Sequence, residues 1–400
     1  MRLFITFVFS VVLMPAFAQK KDNRIVIGTA DTVYSSILKE KRVIYIHVPD
    51  GDKSQRYPVL YILDGEDHFQ SAVAIVEQIS GIIPDMVIVG ISNTVRERDL
   101  TPTHVKPDRM VNAGDASQSG GGENFMVFVQ NELIPYVDSH DATTTYRVFS
   151  GHSLGGLMVI NALFNHTGLF SAYIAIDPSL WWDGRRWIDQ IERRLPQLNL
   201  NNKGLFVAIA NNLPPGLDTI SVLKDTSINT SFSRSVLNFA HTLKNVNPPG
   251  LRFGSKFYPN EWHGSVELNA EYDALRFLFK FYHFDMNYVR AHPELNPDSL
   301  LNIHFNKVSA VMGYKVLPSE DMINNMAYSF MEMKKMDFAY TLFKRNVENY
   351  PKSSNAWDSL GDFYAAKGDK QKAIEAFDKS LNLQETEDTR RKFEELKGKK

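Results

Sequence analysis

The chain has 400 residues, room for about two or three domains of ordinary size, and its 44% hydrophobic and 12% aromatic content supports a packed core and argues against disorder. With 44 basic against 46 acidic residues, a net of -2, it lacks the basic footprint of a nucleic-acid binder or a polybasic membrane anchor. The absence of cysteine excludes disulfides, thiolate metal sites and cysteine nucleophiles; any metal would need His and carboxylate ligands, and no His-Glu-x-x-His spacing occurs among the 11 histidines. No metal and no cofactor is expected.

The first 18 residues read as a secretory signal peptide. Arg2 supplies the positive charge, Leu3 to Leu13 the apolar run, and Ala16-Phe17-Ala18 the small-x-small cleavage site. The run is shorter than the ~20 residues of a spanning helix. The expectation is a periplasmic or secreted bacterial protein with no membrane span after cleavage.

Residues 19–285 alternate β-rich runs with helical stretches. The predicted strands are Arg42–Val48, Pro58–Leu63, Met86–Ile91, Tyr146–Ser150, Tyr173–Ile176, Leu205–Ala210 and Arg252–Tyr258; helical patterns cover Phe125–Val137 and Ser233–Leu243. Several runs are apolar at consecutive positions, as strands covered on both faces should be. The pattern predicts an α/β fold, a mostly parallel sheet flanked by helices. Residues 99–122 read as a long loop of the kind that serves as a lid, with Gly120-Gly121-Gly122 as a flexible linker.

The chemistry lies in Gly151-His152-Ser153-Leu154-Gly155-Gly156, between a strand and an apolar helical stretch. Gly-x-Ser-x-Gly in that setting is a nucleophile elbow, a sharp turn that lifts the serine hydroxyl above the sheet. Ser153 is therefore the expected nucleophile, and His152 is read as packing. A serine needs a histidine to take its proton. His263, on the loop after the last predicted strand, is the expected base. The acid should follow Leu205–Ala210 in the chain, where Asn211-Asn212 come first; Asp218 is the first choice, Asp225 the second and Asp177 the third, with an acid-free Ser–His dyad as the alternative. The backbone N–H of Leu154 and of Gly65 or Glu66 are expected to form the oxyanion hole. Trp181 and Trp182 are placed in the substrate pocket, as is Arg98, which together with Arg96 and His104 could face an anionic group or pair with Asp99.

Residues 286–318 read as a helical connector and 319–400 as a helical tail with an internal repeat of 34 residues. Ile323, Met326, Ala327, Phe330, Ala339 and Phe343 recur as Trp357, Leu360, Gly361, Tyr364, Ala373 and Phe377. The second copy carries the tetratricopeptide signature, and residues 387–397 would cap the stack.

Residues 25–285 resemble the α/β-hydrolase esterase family that groups siderophore trilactone esterases, feruloyl and acetylxylan esterases, S-formylglutathione hydrolases and mycolyltransferases. The resemblance rests on Val59-Leu60-Tyr61-Ile62-Leu63-Asp64-Gly65-Glu66, on Asn93-Thr94 through Arg98-Asp99-Leu100-Thr101-Pro102, on Gly151–Gly156, on Pro178-Ser179-Leu180-Trp181-Trp182 and on His263-Gly264-Ser265. It is nearest in kind to the siderophore-esterase branch. It implies Ser153 as nucleophile, His263 as base and hydrolysis of a small-molecule ester or thioester. The chain departs from many members in having Asn211-Asn212 where an acid is expected, a departure the siderophore branch tolerates. Two other functions fit the same residues: acyl transfer to an alcohol, and a weakened hydrolase scaffold that binds a protein partner through its repeats.

Overall fold

The computed structural model describes residues 25–50 and 55–398; the predicted signal peptide lies outside the described residues. Eight strands form one sheet in the order β1-β2-β4-β3-β5-β6-β7-β8. They are β1 Thr29–Ser35, β2 Glu40–His47, β3 Tyr57–Leu63, β4 Val87–Ile91, β5 Thr143–His152, β6 Ala172–Ile176, β7 Lys203–Ala210 and β8 Leu251–Tyr258. β1 and β2 run antiparallel to their neighbours, and β4 through β8 pair in parallel. All seven predicted strands are present within a few residues. β1 carried no apolar run because it lies at the sheet edge with most of its residues exposed.

Alternation along β3 shows how the sheet divides the core. Val59, Tyr61 and Leu63 enter one apolar cluster, while Leu60 and Ile62 enter the other. Helices α1 (Gly65–Gln78), α2 (Leu154–Asn165), α3 (Ser231–Val246) and α4 (Glu267–Leu278) cover the faces, α1 and α4 on one side, α2 and α3 on the other. Every residue of α2 from Leu154 to Phe164 is buried, which makes it the central helix behind the nucleophile strand.

The 99–122 segment is not a free lid. Leu100, Val105 and Val111 are buried, and short helices occupy Arg96–Asp99 and Ala113–Gln118. The three glycines are fastened by their own N–H groups: Gly120 donates to Thr101 Oγ1, Gly121 to the Arg98 carbonyl and Gly122 to the Thr101 carbonyl. The flexible-linker expectation fails because small residues here serve close packing.

Beyond the sheet lie α5 (Pro297–Met312), α6 (Glu320–Glu332), α7 (Met336–Asn349), α8 (Ser354–Ala366), α9 (Lys370–Leu383) and α10 (Glu387–Lys397). Of the residues repeating every 34 positions, Ile323, Met326, Ala327, Phe330, Ala339, Phe343, Leu360, Ala373 and Phe377 are buried. Leu301, Phe305, Val308 and Met312 form one stripe of α5 at helical spacing. The first two join the tail core, and the last two join the core under the sheet. Among the described residues no helix is long and apolar enough to cross a membrane.

Candidate active site

The parallel strands deliver the site residues in spatial order. β5 ends in the Ser153 turn, β6 leads into Asp177, β7 into Asn211-Asn212, and β8 into the loop holding His263. Ser153 has φ 59 and ψ −116, a strained conformation for a residue with a Cβ. The surrounding contacts hold it. Its N–H donates to the Ile176 carbonyl at 3.0 Å, and its carbonyl accepts from Leu157 and Ser179. A Cβ on Gly151 would stand 2.6 Å from the Gly155 carbonyl carbon, so strand and helix can cross there only through glycine.

Ser153 Oγ lies 3.1 Å from His263 Nε2, and His263 Nδ1 lies 2.6 Å from Asp177 Oδ2. A proton on Nδ1, donated to the carboxylate, leaves Nε2 as the acceptor facing the serine. Asp177 is fully buried, and its Oδ1 accepts the Ala210 N–H at 3.0 Å. The arrangement can move a proton from Ser153 to His263 while the carboxylate steadies the resulting imidazolium.

The carboxylate that meets His263 is not Asp218, the first choice read in the sequence. Asp218 is exposed and closes its own turn, its Oδ1 accepting from the N–H of Ile220 and Ser221 and from Ser221 Oγ. Asp225 likewise caps Ser227 and Thr230. The carboxylate on His263 comes from the end of β6, one strand earlier. Asn212, which stood where an acid was sought, binds both partners: its Nδ2 donates to Asp177 Oδ2 at 2.8 Å and its Oδ1 accepts the His263 N–H at 2.9 Å. Ser179 Oγ, 3.3 Å from Ser153 Oγ, was also missed. The Pro178-Ser179 pair directly after a strand end was its only signal.

Leu154 and Gly65 each occupy the first position of a helix, α2 and α1, where N–H groups lack an intrahelical acceptor. The two helix starts abut: a Cβ on Gly155 would sit 3.3 Å from Asp64 Oδ2. Asp64, in the left-handed region at φ 54, is clamped by Arg96 Nε and Nη2 at 2.7 and 2.9 Å and by Asn93 Nδ2 at 2.5 Å. Burial alone would raise its carboxyl, but these donors hold it below the usual carboxylate range. Arg96 Nη2 also approaches the His152 carbonyl, 3.5 Å away, and so ties the Gly65 turn to the elbow.

The other expected pocket residues make contacts within the fold. Arg98 is bound by Glu40 and by Asp99, which also pairs with buried Arg42; it anchors the 99–122 segment to β2. Trp182 is buried and donates its indole N–H to the Thr103 carbonyl. Trp181 is half-buried against the same core cluster. His104 bonds the Ser119 carbonyl. The rings that flank His263 are Phe232, edge-on at 4.8 Å between centroids, and His152 at 4.4 Å. Trp262, next in the chain, is exposed.

A strained serine at the end of a central parallel strand, facing histidine and carboxylate on neighbouring strand ends, defines an α/β-hydrolase of the serine type. Known proteins agree. Residues 35–213 match the family described as "Putative esterase". The IroE-like serine hydrolase of Shewanella oneidensis is 32% identical with a TM-score of 0.69, the match covering 81% of this chain and 99% of that one. The chain belongs to this esterase family of IroE-like serine hydrolases. Ferri-bacillibactin esterase BesA of Bacillus subtilis is 29% identical over 170 residues, 38% of this chain and 58% of BesA. An uncharacterised protein from Capnocytophaga ochracea, 16% identical, shares the fold over 93% of this chain and 99% of its own, with a TM-score of 0.61. The chain spans about half the length of the curated relatives it matches.

Proposed function

We propose that the protein is a secreted serine esterase that cleaves carboxylic esters through an acyl-enzyme, with siderophore esters as its substrate class. The observation that carries this reading is the Ser153–His263–Asp177 relay, with its 3.1 and 2.6 Å contacts. In the first half-reaction Ser153 Oγ attacks the ester carbonyl while His263 Nε2 takes its proton. The Leu154 and Gly65 N–H groups stabilise the oxyanion. His263 returns the proton to the leaving alcohol, and water then hydrolyses the acyl-serine by the same steps.

The substrate class draws on the relatives, which include a ferri-bacillibactin esterase, an enterobactin esterase and a triacetylfusarinine C esterase. Exposed Trp262 and the Phe232 ring beside His263 offer aromatic surface for aryl groups. Secretion rests on the 1–18 pattern, and N-terminal sequencing of exported protein should begin at Gln19. Residues 19–285 act as the hydrolase domain, 286–318 as the connector, and 319–400 as two tetratricopeptide repeats with a cap.

The test is labelling with a fluorophosphonate probe, followed by chromatography of ferric siderophore, feruloyl-sugar and acetyl-sugar digests. Labelling lost in Ser153→Ala and His263→Ala, with cleavage of the siderophore esters, supports the reading. A folded wild type that does not label overturns the serine-esterase assignment, and cleavage confined to sugar esters overturns the substrate class.

A further inference from the structure

We propose that His68, His152 and Glu267 form a binding site for a divalent transition-metal ion of the zinc class, set directly against the ring of His263. The three side chains come from three elements that the fold brings together: His68 from the first turn of α1, His152 from the elbow and Glu267 from the start of α4. One potential ligand atom of each lies within 4.8 Å of the other two. His68 Nδ1 is 2.9 Å from Glu267 Oε1, and His152 Nδ1 is 4.0 Å from Glu267 Oε2. Zinc bonds of ~2.0–2.2 Å in tetrahedral array separate neighbouring ligand atoms by about 3.3 Å. The two observed separations bracket that value, so small side-chain rotations suffice.

The donor set suits the ion. Two imidazoles and one carboxylate are ligands zinc takes readily, and three protein ligands leave a fourth position for water or an outside group.

The location has a consequence for the site. The His152 ring is 4.4 Å from the His263 ring between centroids and 6.4 Å from that of His68. A dication held by His152 opposes the positive charge that His263 must carry during ester cleavage, so an occupied site slows hydrolysis. That consequence rests on the proposed esterase function, whereas metal binding does not.

The experiment is calorimetric titration of untagged, chelator-treated full-length protein with zinc chloride, for wild type, Ser153→Ala, His68→Gln and Glu267→Gln. The expected result is one equivalent bound by wild type and by Ser153→Ala, with affinity falling more than ~100-fold in the other two, beyond the ~10–100-fold cost of losing a supporting group. Circular dichroism checks that each variant folds. If either ligand variant unfolds, the wild type is read alone, by the ring-proton resonances of His68 and His152 during the zinc titration. Shifts of both resonances that saturate at one equivalent support the site. No binding, resonances that do not move, or binding unchanged in both ligand variants overturns it. Esterase activity is a separate reading: zinc bound without inhibition removes the consequence for hydrolysis and leaves the site.

Discussion

Asp177 and His263 are joined twice. The imidazole Nδ1 meets the carboxylate directly at 2.6 Å, and Asn212 links the same carboxylate oxygen to the His263 backbone N–H. The ring's tautomer and its position are thus held by separate bonds from one small cluster at the ends of β6, β7 and β8.

The direct bond predicts a large effect on chemistry. Asp177→Asn keeps the shape but no longer selects the Nδ1–H tautomer, and kcat for p-nitrophenyl acetate should fall ~10³–10⁴-fold with folding retained. Asp218→Asn should leave kcat within about twofold, because Asp218 closes an exposed turn. Steady-state kinetics on the two variants decide between the carboxylates.

The indirect link predicts a smaller one. Asn212→Ala frees the His263 backbone without touching the relay's own atoms, and misplacement of reacting groups by about 1 Å costs up to ~100-fold. A kcat loss of ~10–100-fold with little change in KM is expected from the same assay.

The Asp64–Arg96 clamp predicts a pH-dependent stability difference. Arg96→Gln leaves a buried carboxylate poorly paired and should cost about 2–4 kcal/mol at pH 7, below the ~3–5 of a wholly buried pair because Arg96 is about a third exposed. The Asp64 carboxyl is held below its usual value of 3.8, so its stabilising contribution is complete above that value and is lost as pH falls through the lower folded value. Urea unfolding at pH 7, 5 and 3 should therefore show wild type and variant converging toward acid.

A fourth expectation concerns a residue far along the chain. Met312 is buried in the core under the sheet, although it lies 99 residues beyond residue 213, where the stretch that matches the esterase family ends. Met312→Ala should destabilise the protein by about 2–5 kcal/mol. Thermal unfolding of the full chain measures it.

How much of this was legible follows from what each signal depends on. Strands covered on both faces appear as apolar runs, so β3, β4, β6 and β7 could be read directly; edge strand β1 buries few side chains and leaves no such trace. Local context marks Ser153 and His263, one by glycines at fixed offsets and the other by its place after the last strand, and the structure brings them within 3.1 Å. Spacing alone does not single out Asp177, because the choice among carboxylates depends on which strand end faces the imidazole, a property of sheet order. Asn212 was misjudged for the same reason: an amide that both donates and accepts can bridge two partners, and nothing in the chain marks where they stand. Arg98 and Trp182 have residue types suited to a pocket, and residue type alone does not disclose the partners that the fold gives them, Glu40 and the Thr103 carbonyl.

Helix α5 lends one end of its apolar stripe to each of two cores, Leu301 and Phe305 to the tail and Val308 and Met312 to the sheet. Neither core can melt without stripping a wall from the other. The catalytic sheet and the first tail helices therefore form one cooperative unit, and a force applied to the tail is borne by the floor beneath the nucleophile strand.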